Sequence, residues 1–161
     1  MGTYRSWMLA AGGGSLTLLA GAFFFQALGW APCQMCLWQR WPHGAAIVIA
    51  ALLVLSPKGL WPVLGGLGAL AAATTASIGA YHSGVELKWW QGPSSCTGAG
   101  LGDLSGAALL PGAAADAPAL VLCDTLTPFF LGLTMANWNM ALSAGLALVW
   151  AWASLRAWRG A

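Results

Sequence analysis

The chain has 161 residues, of which 59% are hydrophobic and only 6% charged, against the roughly 25% charged that soluble domains carry. A chain this short can bury only part of its own surface, so with a mean hydropathy of +0.73 lipid is expected to cover the rest. The net charge of +2 comes from six Lys and Arg residues, too few for a basic surface that could track a phosphate backbone, which sets aside nucleic acid as a partner.

A membrane-crossing helix needs about 20 mainly apolar residues, and four stretches qualify, at about 7–28, 38–55, 61–81 and 128–152. Arg5 ahead of the first run resembles the start of a secretory signal. The run is too long for one, however, and continues to Phe23, Phe24 and Phe25, so a retained helix is expected. Gly12, Gly13, Gly14 and Gly21, with Gly65, Gly66 and Gly68 in the third stretch, would weaken soluble helices but let membrane helices approach closely. The expectation is an all-α integral membrane four-helix bundle, a single transmembrane domain over 1–161.

Four spans put both termini on one side. Arg5, Lys58 in the Ser56-Pro57-Lys58-Gly59 turn, Arg156 and Arg159 then share that side, which the excess of basic residues marks as cytoplasmic. Arg40, Lys88, Glu86, Asp103, Asp116 and Asp124 fall opposite. Trp7, Trp30, Trp38, Trp61, Tyr81 and Trp152 lie at segment ends, as interfacial aromatic belts require. Two outward loops remain, at about 29–37 and 82–127, and together they hold all four cysteines. The middle of the long loop, 107–122, is apolar enough to lie on the membrane as a short helix, although a mobile linker fits equally. No internal repeat is present.

Cys33 and Cys36 form a C-x-x-C directly after Pro32, where the short loop enters the second helix. Proline suits a first helical turn, and a cysteine there meets unpaired backbone N–H groups and the positive end of the helix dipole, which favours the reactive thiolate. Spacing i, i+3 puts both sulfurs on one face, and Arg40 continues that face. Four cysteines allow three connectivities, of which Cys33–Cys36 and Cys96–Cys123 are the expected resting pairs. Purely structural disulfides of an exported surface are the plain alternative, and four thiolates around zinc a third. The expected site holds no metal, because an oxidising compartment favours disulfides. Disulfide exchange also needs a final electron sink, and in a bilayer a lipid-soluble quinone is available. Arg40 would hydrogen-bond its carbonyl, or else snorkel to the interface.

The run Pro32-Cys33-Gln34-Met35-Cys36-Leu37-Trp38-Gln39-Arg40, the cysteine pair of the second loop, and Phe130-Leu131-Gly132-Leu133-Thr134-Met135-Ala136-Asn137-Trp138-Asn139 together resemble the DsbB family of bacterial inner-membrane thiol:quinone oxidoreductases. The resemblance implies that a periplasmic DsbA-like thioredoxin-fold dithiol oxidase is the partner, with Cys96 forming the mixed disulfide and Cys123 resolving it. It further implies that Cys33 takes electrons from the loop pair, that Cys36 meets the quinone, and that Arg40 assists there. Ubiquinone or menaquinone would leave as quinol. The multi-pass protein would then sit in the bacterial inner membrane with its cysteine loops in the periplasm, supporting disulfide bond formation. Gly79 to Glu86 and Trp89 to Cys96 depart from the best-known family members and look like a separate branch. His82 and Glu86, four apart near the outer end of the third helix, could pass protons to the quinone or pair at the interface. Asn137 and Asn139 are expected to hydrogen-bond between helices. The rival readings are a vitamin K epoxide reductase-like enzyme, whose usual layout carries the C-x-x-C in a later helix, and a non-catalytic membrane scaffold with structural disulfides.

Overall fold

A computed structural model describes residues 3–94, 96 and 121–160 of the chain. Ser95, Asp103, Asp116 and most of the apolar 107–122 stretch lie outside these residues. Four helices carry the architecture: α1 (Thr3–Ala27), α2 (Gln34–Leu55), α3 (Trp61–Glu86) and α4 (Met135–Arg159). Two short antiparallel strands, β1 (Pro128–Phe130) and β2 (Leu133–Thr134), precede α4, and a single 3₁₀ turn, Lys58–Leu60, links α2 to α3.

The boundaries differ from the sequence expectation where local hydrogen bonding overrides hydropathy. α2 begins at Gln34 rather than near Trp38 because Cys33 caps it: the sulfur accepts the Cys36 backbone N–H at 3.3 Å, the role that Ser, Thr or Asp oxygens usually fill. α3 runs to Glu86 rather than Tyr81, so His82 and Glu86 sit on a helix and not in the loop. α4 starts at Met135 rather than Pro128, because 128–134 folds back as a hairpin. Its turn residues Leu131 (φ 52°) and Gly132 (φ 75°) are both left-handed, the backbone that tight hairpins demand and helices forbid. Thr134 then caps α4 by accepting the Asn137 N–H.

The bundle is apolar outside. Trp41 is 81% exposed, Leu148 72% and Leu70 64%, a distribution that water would penalise. By length and composition α1, α4 and α3 with its preceding 3₁₀ turn are long and apolar enough to cross a membrane. Gln39, Arg40 and His43 lower the mean hydropathy of α2.

Two buried clusters divide the interior. Met8, Ala11, Leu53, Ala72, Trp150 and Ala153 form an apolar core; Cys33, Met35, Val85, Cys96 and Cys123 form the other. Close helix approach builds the first: a Cβ at Gly68 would lie 2.6 Å from the Trp150 ring, and one at Gly79 3.1 Å from the Met140 backbone. Gly13 and Gly21, expected to serve packing, face open space instead. Arg5 donates to the Val54 carbonyl at 2.7 Å and stands over the Trp61 ring. The start of α1 and the end of α2 therefore meet at one end of the bundle.

Candidate functional site

At the end where the second cluster lies, all four cysteines come together. Cys96 and Cys123 are joined as a disulfide with Cα atoms 5.0 Å apart, and the Cys123 N–H donates to the Cys96 carbonyl at 2.8 Å. Cys33 and Cys36, expected as the second resting disulfide, are instead free, with their sulfurs 2.9 Å apart. Because one pair is oxidised, four thiolates are not available together for zinc.

The loop pair reaches the C-x-x-C because the chain leaving α3 is folded back onto it. Lys88 takes a left-handed conformation (φ 60°) while its N–H and that of Trp89 bond to the Val85 and Gly84 carbonyls, an ending typical of helix C-termini. Trp90 then lies flat over the helix, stacked on Tyr81 and donating to the Tyr81 carbonyl. Its indole occupies the space where a side chain at position 84 would stand, so only glycine fits there. Tyr81 Oη donates to the Gln91 carbonyl at 2.9 Å. Lys88 pairs with Asp124, just after Cys123, and this ammonium holds the half-buried Asp124 carboxyl below its ordinary range. Gly84, Trp89, Trp90 and Gln91, within the two stretches that look like a separate branch, are thus contacts that aim the disulfide.

Cys33 is 4% exposed, and Cys36 is more open. The Cys33 thiol is held well below its ordinary value. The cause is chiefly the hydrogen bond from Cys36, opposed by burial and reinforced by His82, whose Nε2 lies 3.6 Å from the Cys33 sulfur. The helix N-terminus acts in the same direction. His82 and the helix N-terminus therefore favour the thiolate at Cys33.

Behind the sulfurs runs a buried polar network. Gln39 Nε2 lies 3.0 Å from His82 Nδ1, and the Gln39 oxygen accepts from Asn139 Nδ2 at 2.6 Å. Asn139 also donates to Thr75 Oγ1 and lies 2.9 Å from His43 Nε2. Glu86, 4% exposed, accepts from Thr134 Oγ1 at 2.6 Å and stands 3.8 Å from His82 Nε2. Asn139 thus links α2, α3 and α4, as expected of it. Asn137 bonds only locally, to Thr134. Gln39, His43 and Thr134 are not among the site residues expected from sequence; the signals for them were that Gln39 and Thr134 lie inside the two family-like runs and that Gln39 and His43 interrupt an apolar run four residues apart.

A cavity of about 520 Å³ opens beside this cluster, lined by Cys33, Cys36, Arg40, His82, Glu86 and Cys123 among mostly apolar groups. Phe25, Trp30, Phe129, Phe130 and Trp138 supply aromatic walls. Arg40 lines the cavity together with Cys33 and Cys36. Its guanidinium donates to Gln26 Oε1 at 2.6 Å and lies 4.7 Å from the Phe23 ring centroid, both on α1. The basic side chain beside Cys33 is His82.

A family model described as "Disulfide bond formation protein DsbB" matches residues 4–153. A protein named "Disulfide bond formation protein B" from Xanthomonas oryzae pv. oryzae (strain MAFF 311018) is 35% identical over 83% of this chain and 80% of its own length. One of the same name from Verminephrobacter eiseniae (strain EF01-2) is 33% identical over 48% of this chain and 43% of its own. No solved structure matches.

Proposed function

Because the chain belongs to the DsbB family of disulfide bond formation proteins, we propose that it is a membrane thiol:quinone oxidoreductase that reoxidises a periplasmic DsbA-like dithiol protein. All four helices cross the bacterial inner membrane in this reading, with both termini cytoplasmic and the cysteine end periplasmic. The observation that carries it is the meeting of both cysteine pairs in one buried cluster at the wall of an apolar cavity.

The cavity fits a quinone. Its walls are largely apolar and aromatic, its volume of about 520 Å³ falls within the usual range for small-molecule sites, and the Arg40 guanidinium supplies a cationic donor on the same wall as Cys36. Cys36 and Arg40 would hold the head group, and bound ubiquinone or menaquinone supplies a two-electron, two-proton acceptor.

The protein's own residues do the exchange. A partner thiolate attacks Cys96, breaking Cys96–Cys123 and releasing the Cys123 thiolate. The partner's second thiol displaces Cys96 and leaves with a disulfide, so the loop pair gains two electrons. Cys123 and Cys96 then reduce an oxidised Cys33–Cys36 bond by the same two displacements. The thiolate-stabilising surroundings of Cys33 make it the better leaving sulfur in that step. The Cys33–Cys36 dithiol finally yields two electrons and two protons as its disulfide reforms. Cys36, the more open of the two sulfurs, faces the acceptor, and buried His82 and Glu86 lie along the proton route.

The test is a trap. In Cys123→Ala, Cys96 has no resolving partner, so incubation with a reduced thioredoxin-fold oxidase should accumulate a covalent adduct through Cys96, visible on a non-reducing gel. Failure to form any adduct with correctly folded protein would point to structural disulfides and withdraw the reading.

A further inference from the structure

Gln39, Asn139 and His43 have no place in the exchange just described, yet they form the best-connected polar group in the interior. The donors and acceptors that have partners can be assigned from their neighbours; His43 Nδ1 has none among the described residues. Gln39 Nε2 lies 3.2 Å from the Met35 carbonyl, which can only accept, so that end of the side chain is the NH₂ group. Its oxygen correspondingly accepts from Asn139 Nδ2 at 2.6 Å. The second Gln39 N–H is then directed at His82 Nδ1, 3.0 Å away. A nitrogen that accepts cannot carry a proton, so the His82 proton is on Nε2, facing Cys33 Sγ at 3.6 Å. The Asn139 oxygen takes a hydrogen bond from Ser143 Oγ at 3.4 Å, and His43 Nε2 at 2.9 Å must be a donor as well.

We propose that Gln39 is a positioning residue: it locks His82 in the tautomer whose Nε2–H points at the Cys33 sulfur, through donors that run in one direction from His43 through Asn139 and Gln39 to His82 and Cys33. The opposite tautomer would set N–H against N–H at Gln39 and present a lone pair to a thiolate. With Gln39 6% and His82 3% exposed, water is poorly placed to replace the missing partner. A head-to-tail chain of this kind polarises cumulatively, and its positive end falls on the Cys33 sulfur, a leaving thiolate when the Cys33–Cys36 bond is reduced. The role rests on the exchange reading for its purpose but not for its geometry. The titratable groups facing the His82–Cys33 pair are Cys36 from α2 and Glu86 from α3; the loop contributes the Cys96–Cys123 disulfide, which does not titrate.

The chain contains only two histidines, so ¹⁵N-histidine labelling in detergent gives a spectrum of two imidazoles, which His43→Asn assigns. The experiment uses Cys96→Ser/Cys123→Ser protein with Cys33 and Cys36 reduced, at a pH where a prior titration finds both imidazoles neutral, with no quinone or partner present. Its outcome is therefore independent of whether electrons reach a quinone. Wild-type Gln39 should show His82 neutral and protonated at Nε2, with Nδ1 shifted as a hydrogen-bond acceptor. Gln39→Met, close in volume, should remove that acceptor shift, populate the Nδ1–H tautomer, and raise the Cys33 thiolate titration followed at 240 nm by about one pH unit. Finding His82 protonated at Nδ1 with Gln39 in place overturns the proposal and needs no variant to fold. An unchanged tautomer and titration in folded Gln39→Met overturns it equally.

Discussion

Replacing Asn139 by leucine, close to it in volume, should destabilise the bundle by about 2 kcal/mol. The figure follows from what the change leaves behind. Gln39 Oε1 (2.6 Å) and His43 Nε2 (2.9 Å) each lose a partner, whereas Thr75 Oγ1 still donates to the Gln39 carbonyl at 3.1 Å and Ser143 Oγ, held by Asn139 at only 3.4 Å, can turn to the backbone carbonyl four residues back. A buried polar group left unsatisfied costs about 1–3 kcal/mol, but hydrogen bonds between membrane helices average only about 0.6 kcal/mol, so two orphans set the value near the lower part of the range. Unfolding in mixed micelles, followed by the fluorescence of the eleven tryptophans, would measure it. The double variant Gln39→Leu/Asn139→Leu removes the orphaned oxygen along with its donor, so its cost should fall short of the summed singles by roughly 1 kcal/mol. An Asn139→Leu protein within about 0.5 kcal/mol of wild type, or strictly additive variants, would refute the reasoning.

The Cys33 thiol is lowered from its ordinary 9.0, so the folded protein loses that proton at a pH where the unfolded chain keeps it. Reduced protein should therefore grow more stable as pH rises from the lowered value toward 9.0, and lose that increment on acidification; forming the Cys33–Cys36 disulfide should abolish the slope in a thermal melt. Thr134→Val removes both the α4 cap and the donor to Glu86 and should cost about 1–2 kcal/mol, read from the same unfolding assay. Gly84→Val would drive the Trp90 indole off α3; faster proteolysis between Leu87 and Cys96 should report the release. Arg40→Ala should leave the fold intact, since its bonds are to the exposed Gln26 and Phe23, while raising the KM for quinone several-fold.

The chemistry was easier to read from the sequence than the geometry that tunes it. Pro32-Cys33-x-x-Cys36 is local, so its place at a helix start and the dipole acting on it followed from adjacent residues. The His82–Gln39 and Glu86–Thr134 contacts join positions 43 and 48 apart in sequence, and only packing of α2, α3 and α4 brings them together. Arg40 was legible in part: i, i+4 spacing from Cys36 puts both on one cavity, but the Gln26 and Phe23 contacts on α1 that hold its guanidinium depend on packing. The 128–134 hairpin escaped notice for a different reason. Pro128-Phe129-Phe130-Leu131 is as apolar as any helix, and hydropathy is blind to the left-handed backbone at Leu131 and Gly132 that breaks it.

The most direct test of the central claim is quinone consumption by the purified protein in lipid or detergent, supplied with a reduced thioredoxin-fold dithiol protein, in wild type and Cys36→Ser. The relay predicts quinone loss equimolar with dithiol oxidation in wild type and none above background in Cys36→Ser. Equal rates in the two proteins, or folded wild type that passes no electrons to either ubiquinone or menaquinone, would contradict it.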